Sequence, residues 1–167
     1  MVNLITDLEE KANEMRQCCI KTLCAAETHH AGTVLSAADL VTALYFHFMR
    51  VDPKNPQWQD RDRFVLSKGH GASLLYCVLA EKGFFPKEEL PNYRKHYSIC
   101  AGHPDMRLTP GVEMSTGSLG QGLSASVGMA LGGKLDKKDF RVYALLSDGE
   151  MQAGQTWEAA MAAAHYK

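Results

Sequence analysis

The sequence predicts an α/β fold in which a parallel sheet carries helices on both faces. Short apolar runs at residues 63–67 and 142–146 have the length of buried strands. Each run leads through a glycine-containing turn into a helical pattern, at 72–82 and at 156–166. Strands that alternate with helices are typical of parallel sheets. In such sheets ligands bind at the carboxyl ends of the strands, so the two turns are the first candidates for a site.

The part of the chain before the first strand is predicted to form two helices joined by a loop. Apolar residues near helical spacing predict a first helix over 4–26: Leu4, Leu8, Met15, Cys19 and Leu23. Residues 28–35 are predicted as a loop. Ser36 is suited to cap a second helix over 37–49, because its hydroxyl can accept a hydrogen bond from the first turn. Two prolines mark residues 52–62 as a connecting loop.

Helices and loops alternate between the two strands. The predicted elements are, in order, a helix over 72–82, a short helix over 87–95, an irregular segment over 98–115, a helix opened by 117–122 and a polar turn over 134–139. Gly83 is predicted to end the first of these helices, because glycine adopts the left-handed conformation of a helix terminus without strain. Gly132 and Gly133 are predicted to end the helix opened by 117–122, near Leu131.

The composition indicates one globular domain with a core of its own. The chain has 167 residues, 46% hydrophobic and 22% charged, and a formal net charge of −1. No basic stripe occurs, which argues against nucleic acid as a partner. The acidic N-terminus is not a secretory signal, and no apolar run reaches membrane-spanning length. The last helical pattern is still in progress at Lys167, so we expect 1–167 to be a single domain that is incomplete at its C-terminus.

The five cysteines indicate a reducing environment. Their number is odd and none forms a Cys-x-x-Cys pair, which predicts free thiols and a cytoplasmic protein. Cys18, Cys19 and Cys24 lie in the first predicted helix, where we expect them to be small core residues. The seven histidines show no metal-ligand spacing with the cysteines.

Four segments that lead into helices combine glycine with histidine or an acid. They are residues 30–32 (His-Ala-Gly), 69–71 (Gly-His-Gly), 102–104 (Gly-His-Pro) together with 117–122, and 148–149 (Asp-Gly). Glycine lets the backbone approach a ligand closely, and backbone N–H groups at helix starts favour phosphate. Histidine can move protons near neutral pH. Together these segments predict a site for a phosphorylated cofactor and a polar substrate.

Asp148 and Gly149 follow the second predicted strand. A carboxylate beside glycine at a strand end suits a metal that bridges to a diphosphate, because hard cations prefer oxygen ligands. The alternative is a solvated turn in which the aspartate caps the next helix.

Two longer motifs resemble the N-terminal, diphosphate-binding domain of transketolase. They are residues 60–71, Asp-Arg-Asp-Arg-Phe-Val-Leu-Ser-Lys-Gly-His-Gly, and residues 116–122, Thr-Gly-Ser-Leu-Gly-Gln-Gly. The resemblance runs from about Arg16 to the end of the chain. The short spacing is similar to that of the split forms, in which two polypeptides share the work of one long transketolase.

This resemblance implies thiamine diphosphate as the cofactor, with Mg²⁺ or Ca²⁺. Asp148 matches the carboxylate that holds the metal bridging to the cofactor, and Gly149 follows it in the family's turn. Gly117 and Leu119 match loop residues that lie along the cofactor. His70 matches a histidine at the diphosphate.

The resemblance also implies the reaction and the partners. His30 and His103 match histidines that face the sugar's hydroxyls, although His29 stands beside His30. The family transfers a two-carbon ketol unit from a ketose phosphate to an aldose phosphate, within the pentose phosphate pathway. A C-terminal domain or subunit supplies the glutamate that activates the cofactor, so a homo- or hetero-oligomer is implied. The asparagine ligand of the metal lies beyond Lys167 in this family.

Three departures from the family pattern keep alternatives open. The family usually has glycine at Ser147 and at His29, and transketolases usually have glutamate at Ala153. Alanine at position 153 resembles the pattern of deoxyxylulose-phosphate synthase, a relative with the same cofactor. That relative lacks the sequence motif of residues 117–122. The departures are also compatible with a non-catalytic homologue that binds a partner.

Overall fold

The computed structural model describes residues 2–167, with Val2 described by its backbone alone, and shows the predicted parallel sheet. Strand β1 (Arg63–Leu66) pairs in parallel with strand β2 (Val142–Leu145), in the register Arg63 to Val142 and Leu66 to Leu145. Each strand ends one residue earlier than predicted. Both carboxyl ends therefore lie at the same edge of the sheet.

The two faces of the sheet are covered by different helices. Phe64 and Leu66 point into the main core, whereas Val65, which alternates with them, faces the other side and is also buried. Helix α5 (Gln121–Leu135) packs on that other side against both strands. The fold prediction of helices on both faces is confirmed.

Helix α1 (Val2–Ala25) covers the outside of the main core, close to its predicted bounds. Three of its predicted apolar positions, Met15, Cys19 and Leu23, are buried, but Leu4 is exposed. The five cysteines are free thiols, as predicted. The expectation that Cys24 is a core residue is wrong, because this side chain lies on the solvent side of the helix.

Residues 28–35, predicted as a loop, contain a short helix α2 (Ala31–Leu35). Val34 in this helix is completely buried, so packing against the core stabilises a helix that is too short to form alone. Ser36 does not cap the next helix. Its hydroxyl donates to the Thr33 carbonyl over 3.2 Å, and helix α3 begins two residues later, spanning Ala38–Ala43 and continuing as a π-helical turn over Leu44–Phe48.

Helix α4 (Ala72–Lys82) is the centre of the main core. All residues from 72 to 80 are buried, as expected for a helix that is surrounded on every side. Gly83 ends it with a φ of +91°, as predicted. The short helix predicted over 87–95 is a 3₁₀ segment over Lys87–Asn92.

The prediction that Gly132 and Gly133 end the next helix is wrong, since α5 continues through both glycines to Leu135. A Cβ at Gly133 would lie 2.6 Å from the Phe140 ring, so this glycine permits close packing inside a helix. A 3₁₀ turn (Gly149–Gln152) follows β2, and helix α6 (Gly154–Tyr166) packs against α5. None of the helices over residues 2–167 is long and apolar enough to cross a membrane.

Candidate cofactor site

The segment that follows β1 meets the glycine-rich stretch 117–122 at the carboxyl edge of the sheet, and glycines allow the two to touch. A Cβ on Gly69, just after β1, would lie 2.8 Å from the backbone nitrogen of Gly117. A Cβ on Gly122 would lie 2.4 Å from the Ser67 hydroxyl and 2.7 Å from its Cα. No larger residue fits at either contact without moving the backbone. The glycine-rich stretch 117–122 is therefore held directly against the end of β1.

The segment that carries His103 is attached to the same place. The backbone N–H of Thr116 donates to the Pro104 carbonyl over 3.2 Å, and its hydroxyl donates to the Leu66 carbonyl over 2.7 Å. The Tyr76 hydroxyl donates to the His103 carbonyl over 2.9 Å. The imidazole of His103 is left exposed, and a Cβ on Gly117 would lie 3.3 Å from it. The backbone thus fixes His103 while its ring stays available.

A cavity of about 610 Å³ opens beside these segments, at the carboxyl edge of the sheet. Four of the predicted site residues line it: His70, Leu119, Asp148 and Gly149. The other three predicted residues, His30, His103 and Gly117, do not line the cavity. His30 and His103 nevertheless lie close enough to His70 to lower its pKa. The sequence therefore predicted two of the cavity's polar side chains, His70 and Asp148, together with Leu119 and Gly149.

His30 and His103 lie near His70, the one histidine among the cavity's lining residues. The ring centroids of His30 and His70 are 5.6 Å apart, so His30, rather than its neighbour His29, faces the group. Burial lowers the pKa of His70, and the nearby charges of His30, Lys68 and His103 lower it further. The lowered pKa favours the neutral form of His70, which can both donate and accept a hydrogen bond, although the charge of Glu150 opposes the shift.

Asp148 has the properties of an unused metal ligand. Its side chain is exposed to the cavity, and its carboxylate accepts no hydrogen bond from residues 2–167. Although Asp148 precedes the 3₁₀ turn, it makes no side-chain cap, so the alternative of a helix-capping aspartate is not realised. No group of three or more possible ligands among His, Cys, Asp and Glu occurs in the described chain. A metal at Asp148 would therefore need further ligands, such as diphosphate oxygens.

Lys68 is a cavity residue that the sequence reasoning missed. It is only 6% exposed, and its ammonium group donates to the Thr33 carbonyl over 3.0 Å. Burial lowers its pKa, while the negative charges of Asp148 and Glu150 oppose that effect. A buried ammonium group in the cavity is suited to a phosphate oxygen. The only sequence signal for a role in the site is its position inside the motif 60–71. A lysine beside a glycine is otherwise typical of the protein surface.

Glu150 is the second residue that was missed, and it is 1% exposed. One carboxylate oxygen accepts from the Gly120 N–H over 2.8 Å and also from the Ser67 hydroxyl. The other oxygen accepts from the Ser147 N–H over 3.1 Å. A buried carboxylate could not be predicted here, because glutamate usually lies at the surface.

The fold and the cavity together define a domain that binds a phosphorylated cofactor at the carboxyl edge of a parallel sheet. The cavity's lining includes a cation (Lys68), a free carboxylate (Asp148) and a histidine (His70), and such groups suit phosphate oxygens and a divalent metal.

The chain belongs to the family described as "Transketolase, thiamine diphosphate binding domain", which matches residues 8–167. It is 46% identical over 155 residues to the 6-deoxy-6-sulfo-D-fructose transketolase subunit SqwG of Clostridium sp. (strain MSTE9), covering 93% of this chain and 56% of that protein. It is 43% identical to one subunit of the apulose-4-phosphate transketolase of Phocaeicola vulgatus, covering 98% of this chain and 58% of that protein. The chain thus spans somewhat more than half the length of these curated relatives.

Solved transketolases have the same fold. The enzyme from Campylobacter jejuni superposes with a TM-score of 0.85 at 38% identity, covering 91% of this chain and 25% of that one. The enzyme from Leishmania mexicana gives a TM-score of 0.86 at 32% identity, covering 91% and 24%. Thiamine diphosphate is the cofactor of this domain family, as the motifs implied. The relatives do not favour deoxyxylulose-phosphate synthase.

Proposed function

We propose that the chain is the cofactor-binding part of a transketolase that moves a two-carbon ketol unit from a ketose phosphate to an aldose phosphate. The observation that carries this proposal is the cavity at the strand ends, where Asp148 is unpaired and Lys68 is buried beside it. Relatives that are named as transketolase subunits support the same reaction class. The free thiols support a cytoplasmic setting, and the pentose phosphate pathway is the corresponding metabolic context.

Each polar group has a task in this proposal. Asp148 would hold Mg²⁺ or Ca²⁺, and Lys68 and His70 would contact the diphosphate, with Gly117 and Leu119 along the cofactor. Thiamine diphosphate, when bound, supplies the electron sink that lets a carbon–carbon bond of the sugar break and form again. His30 and His103 would orient the sugar's hydroxyls and move their protons.

A C-terminal transketolase subunit or domain is the proposed partner. The names of the relatives, which describe them as subunits, support a division of the enzyme between two polypeptides. Helix α6 also exposes large apolar side chains: Trp157, Met161 and Tyr166. Apolar side chains clustered on one exposed helix are typical of a protein–protein interface. We therefore propose that α6 contacts another subunit in an oligomer.

Binding and transfer test the proposed function directly. With Mg²⁺ and a C-terminal transketolase subunit present, calorimetry is expected to show thiamine diphosphate binding, and the mixture is expected to convert a ketose phosphate and an aldose phosphate. Omission of the metal should weaken binding. A mixture that binds no thiamine diphosphate contradicts the proposal. Binding without any transfer would instead favour the non-catalytic homologue that Ser147, His29 and Ala153 left open.

His103→Ala is expected to lower kcat and kcat/KM together, by about 100-fold, because a proton-transfer group acts mainly in the transition state. The affinity for thiamine diphosphate should change little, since the His103 ring lies outside the cavity lining. Steady-state kinetics and calorimetry measure the two effects. His96→Ala, which removes an exposed histidine elsewhere, is the matched control. Lost cofactor binding with a normal kcat at saturation would show that the substrate-side role of His103 is wrong.

A further inference from the structure

We propose that Glu150 is a positioning residue, whose buried carboxylate holds the Asp148 turn in register with the glycine-rich stretch 117–122. This role rests on the proposed function in one respect, namely that the Asp148 turn binds the metal of the cofactor. The carboxylate does not line the cavity, so its effect would be exerted through the backbone that it holds.

The hydrogen bonds of Glu150 connect three segments that are distant in sequence. Its side chain reaches the end of β1 through the Ser67 hydroxyl and the start of α5 through the Gly120 N–H. It reaches the residue before Asp148 through the Ser147 N–H. Ser147 and Glu150 are joined a second time, because the Glu150 N–H donates to the Ser147 hydroxyl over 3.2 Å. Both sides of the Asp148 turn are therefore tied to one buried group.

The start of α5 depends on this acceptor. Gly120 adopts a φ of +87°, and a Cβ at this position would lie 2.9 Å from the Cβ of Ala153. Gly120, the N-cap residue, has no side chain that could cap the helix itself. The Glu150 carboxylate supplies the acceptor for one of the free N–H groups there, from a segment 30 residues away. The same group thus fixes both the glycine-rich stretch and the turn.

A carboxylate accepts from all three donors at once, and an amide cannot. Both oxygens of a carboxylate accept, whereas an amide has one oxygen and an NH₂ group that donates. In Glu150→Gln the amide nitrogen must face either the Ser147 N–H or the pair formed by Gly120 and Ser67. One contact of the network is lost in either orientation, although the side chain still fills the same space. Glutamine therefore separates positioning by hydrogen bonds from simple packing.

The test compares Glu150→Gln and Glu150→Ala with Glu10→Gln, which changes an exposed glutamate on α1. Hydrogen exchange on the cofactor-free chain is expected to show at least 10-fold faster exchange at Gly120 or Ser147 in Glu150→Gln, with unchanged protection in β1. With Mg²⁺ and the C-terminal subunit present, the Kd for thiamine diphosphate is expected to rise by about 10- to 100-fold, as for other groups that orient metal ligands. Glu10→Gln should behave like the wild type in both measurements.

Several results would overturn the role. The first is a Glu150→Gln variant with normal hydrogen exchange and normal affinity for thiamine diphosphate. The second is a Glu150→Ala variant that loses protection and affinity while Glu150→Gln keeps both at the wild-type level. If Glu150→Gln does not fold, Ser67→Ala removes one donor and leaves the carboxylate. It should then weaken binding of the cofactor, and an unchanged Kd in that variant contradicts the proposal. The exchange measurement requires no cofactor, so a failure of the wild type to bind thiamine diphosphate counts against the proposed function alone.

Discussion

Asp148→Asn is expected to weaken Mg²⁺-dependent binding of thiamine diphosphate by about 100-fold or more. Loss of a group that merely orients a ligand costs about 10- to 100-fold, and Asp148 is proposed as the ligand itself. The free energy of unfolding should change by less than about 0.5 kcal/mol, because the carboxylate is exposed and accepts no hydrogen bond from the described chain. Denaturant titration gives the stability, and calorimetry in the presence of the C-terminal subunit gives the affinity.

A matched control for this substitution is Asp7→Asn, which makes the same chemical change at an exposed position of α1. It should leave both binding and stability as in the wild type. An unchanged affinity in Asp148→Asn, with Mg²⁺ present, would remove Asp148 from the metal site. A large loss of stability would show that its main role is structural.

Gly122→Ala is expected to destabilise the protein by about 2 kcal/mol. Its Cβ would lie 2.4 to 2.7 Å from the side chain and Cα of Ser67, so α5 or the end of β1 must move. Overpacking of this kind costs about 3 kcal/mol, and the higher helix propensity of alanine offsets about 1 kcal/mol. Displacement of Ser67 also disturbs its hydrogen bond to Glu150, so the affinity for thiamine diphosphate should fall as well.

Gly128→Ala in the same helix is the control, since a Cβ there meets no atom within 4 Å. It should stabilise the protein by up to about 1 kcal/mol, because the substitution only restricts the unfolded chain. Denaturant titration of both variants gives the comparison. Equal effects at positions 122 and 128 would show that α5 does not press on β1 as described.

Periodic patterns predicted the elements of this fold better than their ends. The two strands were predicted from their apolar runs. Helix α4 was predicted from its helical pattern and from Gly83 at its end. The end of α5 was predicted wrongly: Gly133 lies inside the helix because the Phe140 ring packs against it, whereas no contact explains Gly132. Helix α2 was missed for a similar reason, since burial of Val34 stabilises it. Both depend on contacts that local sequence does not contain.

The site residues likewise fall into those that motifs predict and those that only the structure shows. Motifs identified His70, Leu119, Asp148 and Gly149, and these four residues do line one cavity. Their roles, and those of Gly117, His30 and His103, stay predictions until binding is measured. Lys68 and Glu150 were not found, because charged side chains usually lie at the surface and only the three-dimensional structure shows their burial.

The Ser67–Glu150 contact has a consequence for the order in which the chain folds. The main core is built almost entirely from α1 to α4 and the residues up to Val112. The hydrogen bond between Ser67 and Glu150 joins residues 83 positions apart, so it must wait for the strand that precedes Glu150. During synthesis, the helical core can therefore collapse on the ribosome while the cofactor cavity is still open on one side. We expect nascent chains released before β2 to be compact at α4 yet unable to bind thiamine diphosphate, because the turn proposed to bind the metal is synthesised after this core.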